Sequence, residues 1–269
     1  MDEARQAGAG KAAADTGQGS GGSQAAGGGP RALEGRRILV TGASSGIGAQ
    51  TARRATAAGA RVALLARRRD QLEALAGDID GVAVPVDLTD LTAASAAVAT
   101  AAGALDGLDA VVNSAGIMRV GPAARFDLDD AAQMFTLNVL ALLAVTKAAV
   151  PHLRAAGRGD VVNLGSLSGR RVGSGTAAVY SGSKFAVHAI SEGLRRELLH
   201  DRIRVTVLAP GYVRTDLFDD LDPAYGFAER AARLGLPVGQ VADEIVRVLA
   251  LPPDIHIREV ALSGLAQEG

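Results

Sequence analysis

Seven short runs of β-branched and other apolar residues alternate along this chain with Ala-rich stretches of helical length. The strand candidates are residues 37–41, 61–66, 82–86, 110–113, 160–164, 203–208 and 257–261, and several are almost wholly apolar. Such runs suit parallel strands covered on both faces. Helices are predicted at about 46–58, 69–76, 90–104, 128–155, 177–200 and 239–250. Strand and helix in strict alternation make repeated βαβ units, hence a Rossmann-type, doubly wound, seven-stranded parallel sheet in a single α/β domain over residues 34–269. Residues 1–33 are mostly Gly, Ala, Ser and Gln. They bury too little to offset backbone entropy and read as a disordered tail.

Composition narrows the function classes. With 28 basic against 29 acidic residues, the chain has no charge excess for gripping nucleic acid or an anionic membrane. It has no cysteine, which excludes disulfides, thiolate metal sites and a thiol nucleophile. Its four histidines lack metal-ligand spacing, so no metal is expected. The longest unbroken apolar run, residues 139–145, is far short of the roughly 20 that cross a bilayer. A cytoplasmic enzyme or binding protein is the expectation.

The first strand runs into Thr41-Gly42-Ala43-Ser44-Ser45-Gly46-Ile47-Gly48, and a helix follows. Gly42 permits a tight turn, Gly46 removes a side chain where a pyrophosphate would approach, and Gly48 lets helix and strand pack closely. The helix N-terminus then offers N–H groups and partial positive charge to phosphates. About twenty residues on, the second strand ends in Ala66-Arg67-Arg68-Arg69. A carboxylate there would accept from a ribose 2′-hydroxyl, whereas guanidinium groups suit a 2′-phosphate. Cations at a helix N-terminus oppose the dipole and call for an anion. NADP(H) is therefore expected, with NADPH preferred over NADH, held by Arg67 and a second arginine, Arg68. A solvated helix start is the plainer alternative.

Tyr180 and Lys184 stand four apart at the start of a predicted helix and share one face. An ammonium about 4 Å from the phenol would contribute roughly 4 kcal/mol at an effective dielectric near 20, lowering a pKa of about 10 by about three units. Tyr180 would then exchange a proton with a carbonyl or alcohol near neutral pH. Ser166 lies at the carboxyl end of the fifth strand, where open α/β sheets bind ligands, and is placed to hydrogen-bond the substrate oxygen. Ser168 ranks behind it. His188 reads as a satisfied helix histidine. Residues 216–237 mix acids with Leu217, Phe218, Leu221, Tyr225 and Phe227 and suggest a mobile lid over a substrate.

The residues 41–48, Asn113-Ser-Ala-Gly116, Asn138, Ser166, Tyr180-Ser-Gly-Ser-Lys184 and Pro210-Gly211 follow one another as in the short-chain dehydrogenase/reductase family, which the chain resembles from residue 36 to about 262. The resemblance implies that Gly42, Ser44, Ser45, Gly46, Ile47 and Gly48 surround the pyrophosphate, and that Asp87 and Leu88 contact adenine. It places Asn113, Ala115 and Gly116 on the adenosine side, Val213 and Thr215 beside the carboxamide, and Pro210 and Gly211 among the cofactor contacts. Tyr180 and Lys184 would also touch the cofactor, Lys184 at the nicotinamide ribose. Asn138 resembles the asparagine that holds a water linked to the lysine. By the same resemblance the helices at 128–155 and 177–200 form a homodimer or homotetramer interface.

Three departures stand out. The second motif reads Asn-Ser-Ala-Gly where Asn-Asn-Ala-Gly is commoner, and the Ser166–Tyr180 interval is one residue longer than usual. The ending at 257–267 is similar to a subgroup of broad aldehyde, ketone and hydroxy-acid reductases, but lacks that subgroup's Pro-Thr before the glutamine. The expected activity is NADP(H)-dependent interconversion of a carbonyl and an alcohol, with a small-molecule substrate. A non-catalytic NADP(H)-binding sensor is the rival reading.

Overall fold

The computed structural model describes residues 32–267, so the expected tail lies outside the described residues up to residue 31. The main sheet holds β1 (Arg37–Thr41), β2 (Arg61–Ala66), β3 (Val82–Pro85), β4 (Ala110–Asn113), β5 (Gly159–Leu164), β6 (Ile203–Pro210) and β7 (Glu259–Leu262). Every pairing in it is parallel, in the order β3-β2-β1-β4-β5-β6-β7. The doubly wound architecture is as the alternation predicts. The chain reverses its direction of travel between β1 and β4, where Thr41 pairs with Asn113. A crevice opens there beyond the carboxyl ends.

Helices α1 (Gly46–Ala57), α2 (Arg69–Ile79), α3 (Leu91–Leu105), α4 (Leu128–Phe135), α5 (Leu142–Ala155), α6 (Ala178–Glu197), α7 (Phe227–Leu234) and α8 (Val238–Leu249) cover the sheet and its upper rim. Side chains alternate along each strand, so consecutive residues feed different cores. Ile38, Val40, Leu64, Val112, Val162 and Leu208 pack with Ala52 of α1, Leu72 of α2 and Val241 and Ile245 of α8. Leu39, Leu65, Val111, Val161 and Val205 pack on the other face with Val98 of α3, Val145 of α5 and Leu194 of α6.

Leu33, assigned by composition to the tail, is 1 % exposed in the first core, and its N–H donates to Ala58 O. The domain thus begins before residue 34. Leu33→Ala is expected to cost roughly 2–5 kcal/mol, read from urea unfolding. An unchanged midpoint would show that the contact contributes nothing.

The predicted single helix at 128–155 is interrupted. Residues Thr136–Ala141 widen into a π-helical turn, a feature common where a helix side chain serves a site. Among the described residues this helical stretch alone is long and apolar enough to cross a bilayer, although no unbroken apolar run in it approaches that length. Half of its most apolar window is buried inside the fold.

Candidate active site

A cleft of about 1150 Å³ opens at the carboxyl ends of the strands. It is lined by Gly42, Ser44, Ser45, Gly46, Ile47 and Gly48, by Arg67, Arg68, Asp87 and Leu88, and by Ala115 and Gly116. Ser166, Tyr180, Lys184, Pro210, Gly211, Val213 and Thr215 complete the predicted set there. Asn113 and Asn138 are the two predicted residues that do not line it.

The turn after β1 is built by close approach. Gly42 has φ +65°, and a Cβ on it would lie 2.7 Å from Ala115 Cα. A Cβ on Gly48 would overlap the carbonyl oxygen of Gly42, so no side chain fits between turn and helix. Ser45 at the N-cap of α1 makes no capping bond, and the first turn holds no acid. Its N–H groups and dipole are left for an anion.

The three arginines after β2 divide. Arg69 turns aside to pair with Glu73 at 2.9 Å. Arg68 folds back over the turn, donating to Ser45 Oγ at 2.6 Å and Ser44 Oγ at 3.1 Å, with Asp216 Oδ2 at 3.7 Å. Arg67 stands beside Asp87, whose carboxyl lies below its usual range because the Thr89 N–H and hydroxyl donate to it, with Arg67 adding a smaller pull. Ala66, 5 % exposed, ends the strand without a carboxylate.

Asn113 is a correction. Its amide points into the core, donating to Thr146 Oγ1 at 2.9 Å and Asn163 Oδ1 at 2.8 Å. It ties β4 to β5 and α5 beneath the crevice. Thr41 Oγ1 does the local positioning instead, accepting from the Ser114 and Ala115 N–H groups at 3.1 Å each.

Tyr180 and Lys184 lie on one face of α6, 7 % and 6 % exposed. Lys184 Nζ donates to Leu164 O at 2.8 Å and sits 5.9 Å from the centre of the Tyr180 ring. Ser166 Oγ accepts from the Ser168 N–H at 3.1 Å. The expected acidification of the phenol is reversed: burial pushes Tyr180 up to about 12, and a hydrogen bond with Ser166 offsets only part of that. Burial also pushes Lys184 down to about 8. Desolvation outweighs the pairwise attraction that the spacing suggests.

Asn138, 1 % exposed, sits in the π turn; it accepts from Ile117 N–H at 2.9 Å and donates to Ile117 O at 3.0 Å. A Cβ on Gly116 would lie 3.1 Å from Asn138 Oδ1 and 3.8 Å from Lys184 Nζ, so asparagine and lysine both approach the face of that glycine where a side chain would project. His188 is not satisfied as expected. Its Nε2 is buried without a hydrogen bond, while Nδ1 lies 3.7 Å from Glu259 Oε1.

The segment read as a lid is structured. It contains α7 and a two-residue strand, Leu236–Pro237, paired in parallel with Val213–Arg214. Phe218, Leu221, Phe227 and Ala231 are buried in one cluster with Tyr180, Met118 and Met134. Sequence reasoning missed Arg230 and Tyr212, both of which line the cleft. The signal was present in Phe227-Ala-Glu-Arg-Ala-Ala-Arg-Leu234, whose apolar residues recur at helical spacing. Gln267, noted only within the ending at 257–267, accepts from Tyr212 N–H at 2.9 Å.

Residues 36–226 match the short chain dehydrogenase family. The chain belongs to the short-chain dehydrogenase/reductase family. This short-chain dehydrogenase/reductase is 36 % identical to an uncharacterized oxidoreductase of Staphylococcus haemolyticus over 86 % of its own length and 97 % of the relative's. It resembles a short chain dehydrogenase from Burkholderia cenocepacia in complex with NADP, at 32 % identity and TM-score 0.77, over 86 % of this chain and 98 % of that one. It also resembles the 3-ketoacyl-(acyl-carrier-protein) reductase from Brucella melitensis complexed with NADH, at 26 % identity and TM-score 0.79, covering 87 % and 98 %. The protein is an oxidoreductase of this family, and the choice of dinucleotide falls to the residues of each chain.

Proposed function

We propose that this oxidoreductase interconverts a ketone or aldehyde and its alcohol with NADP(H). The observation that carries the reading is a single cleft with two matched walls. One bears an uncapped helix end with Arg67 and Arg68; the other bears Ser166, Tyr180 and Lys184, all buried. The acid-free end of β2 and the two arginines fit a 2′-phosphate, and the glycine turn fits a pyrophosphate. A bound nicotinamide supplies the hydride chemistry.

The chain's own residues handle the oxygen and the proton. Tyr180, pushed up to about 12, keeps its proton throughout the neutral range and is ready to donate it to a carbonyl oxygen. The Ser166 hydroxyl hydrogen-bonds the same oxygen as negative charge develops there. Lys184, near 8, is mostly charged at neutral pH and would hold the nicotinamide ribose of a bound dinucleotide. Asn138 fixes the Gly116–Ile117 backbone against the lysine. The exposed Phe135, Leu140, Leu143 and Phe185 on the helices at 128–155 and 178–197 supply the apolar face of a homo-oligomer.

The test is a panel of aldehydes and ketones assayed by NADPH consumption, with NADH in parallel. Arg67→Ala is expected to weaken NADPH binding by roughly 10- to 100-fold, from the loss of a charge-assisted hydrogen bond, and NADH binding by less than about threefold. Equal losses for both would reject the 2′-phosphate assignment.

A further inference from the structure

The end of the cleft beyond Tyr180 combines an apolar wall with one fixed cation. Arg230 is half-buried and lines the cleft. Its Nε donates to Tyr212 Oη at 3.0 Å and its Nη2 to Tyr225 O at 2.6 Å. The guanidinium carbon also stacks 4.8 Å from the centre of the Phe227 ring. All three partners are neutral, and among the described residues no carboxylate lies within ion-pair distance of Arg230. Phe227 and Tyr212 belong to the apolar cluster that contains Tyr180, so cation and phenol share one pocket.

Cations outnumber acids around Arg230. Arg171 and Arg233 also line the cleft, and neither forms an ion pair among the described residues. Arg119 is only loosely paired, at 3.6 Å from Asp130. Asp220 is the one acid lining this end, since Asp216 faces Arg68 and Asp87 faces Arg67 on the cofactor side. Withdrawing a cation from water without a counter-charge is costly. A guanidinium pinned by two neutral oxygens and an aromatic face is an arrangement that an incoming anion completes.

We propose that the substrate is an oxo acid, or the corresponding hydroxy acid, whose carboxylate is received by Arg230 while its carbon chain lies along Phe218 and Phe227. This rests on the carbonyl–alcohol reading above and adds the substrate's charge to it. Arg171 and Arg233 at the rim attract the acid from solution, a contribution that salt screens.

The test compares NADPH consumption with pyruvate, levulinate and succinic semialdehyde against their methyl esters. At least one acid is expected to exceed its ester in kcat/KM by about tenfold or more, chiefly through KM. Arg230→Met should bring that ratio close to one, and Arg230→Lys should retain part of it. Should Arg230→Met fail to fold, a binding measurement on the unaltered protein decides. Valerate is expected to raise the melting temperature of the NADP⁺-loaded enzyme more than valeramide does. Esters turned over as well as acids, or both falling equally in Arg230→Met, would overturn the carboxylate assignment and leave the oxidoreductase reading in place. Failure of every acid, ester and neutral carbonyl to consume NADPH or NADH would remove both.

Discussion

Tyr180→Phe is expected to lower carbonyl reduction by about 10³-fold, within the range seen when a positioned general acid is removed. The ring is buried among Met118, Met134 and Phe227, and phenylalanine refills that volume. Folding stability should therefore change by less than about 1 kcal/mol. NADPH affinity should change by less than about threefold, because the arginines and the glycine turn that recognise the dinucleotide lie elsewhere in the cleft. Single-turnover reduction and a direct titration of NADPH fluorescence separate the two effects. Retained turnover would remove the phenol from proton transfer. A matching loss of NADPH affinity would mean that the hydroxyl serves binding rather than chemistry. The raised value of Tyr180 adds a directional signature: alcohol oxidation, which needs the ionised phenol, should climb steadily with pH above neutrality, whereas reduction should not.

The fold was legible because its information is local. Apolar runs of strand length alternating with Ala-rich stretches leave few topologies open, and the observed strands differ from the expected ones by at most two residues at an end. Ser166, Tyr180 and Lys184 were legible for the same reason, since a strand end and an i, i+4 pair fix directions without knowledge of distant neighbours. The misreadings concern quantities that only the assembled molecule defines. Spacing shows that an ammonium is near a phenol, but the direction of the shift depends on how much water both have lost, and here burial dominates. Asn113 sits at a strand end, where the sequence cannot say whether an amide turns to the crevice or to Thr146 and Asn163 below it. The helical spacing of 227–234 marks an element around Arg230 but not what the arginine meets. Its meaning comes from Tyr212, Tyr225 and Phe227, which meet it only after the segment folds onto the Tyr180 cluster.

Lys184→Met is expected to cut turnover by at least about a hundredfold while raising stability at neutral pH. The lysine is 6 % exposed with its ammonium on Leu164 O. The gap between about 8 in the folded chain and the ordinary 10.5 corresponds to about 3 kcal/mol against the charged form. The sign follows from linkage. Below pH 8 folded and unfolded chains both hold the proton and the penalty is fully present. Between pH 8 and about 10.5 the folded chain releases it first, so the stability of the unaltered protein rises with pH through that window. Methionine keeps most of the volume and carries no charge, but leaves Leu164 O without its donor, which returns about 1–2 kcal/mol of the gain. A net stabilisation of about 1–2 kcal/mol at pH 7 remains, about 2–8 °C in melting temperature for a domain of this size. The advantage should shrink toward pH 10 as the unaltered lysine sheds its charge. A variant less stable at pH 7, or an advantage constant from pH 7 to 10, would mean that the buried ammonium is already compensated by its protein surroundings. A fold that tolerates an uncompensated charge at this position does so for what the charge contributes once dinucleotide and substrate arrive, and the opposite responses of stability and turnover to one substitution measure that trade.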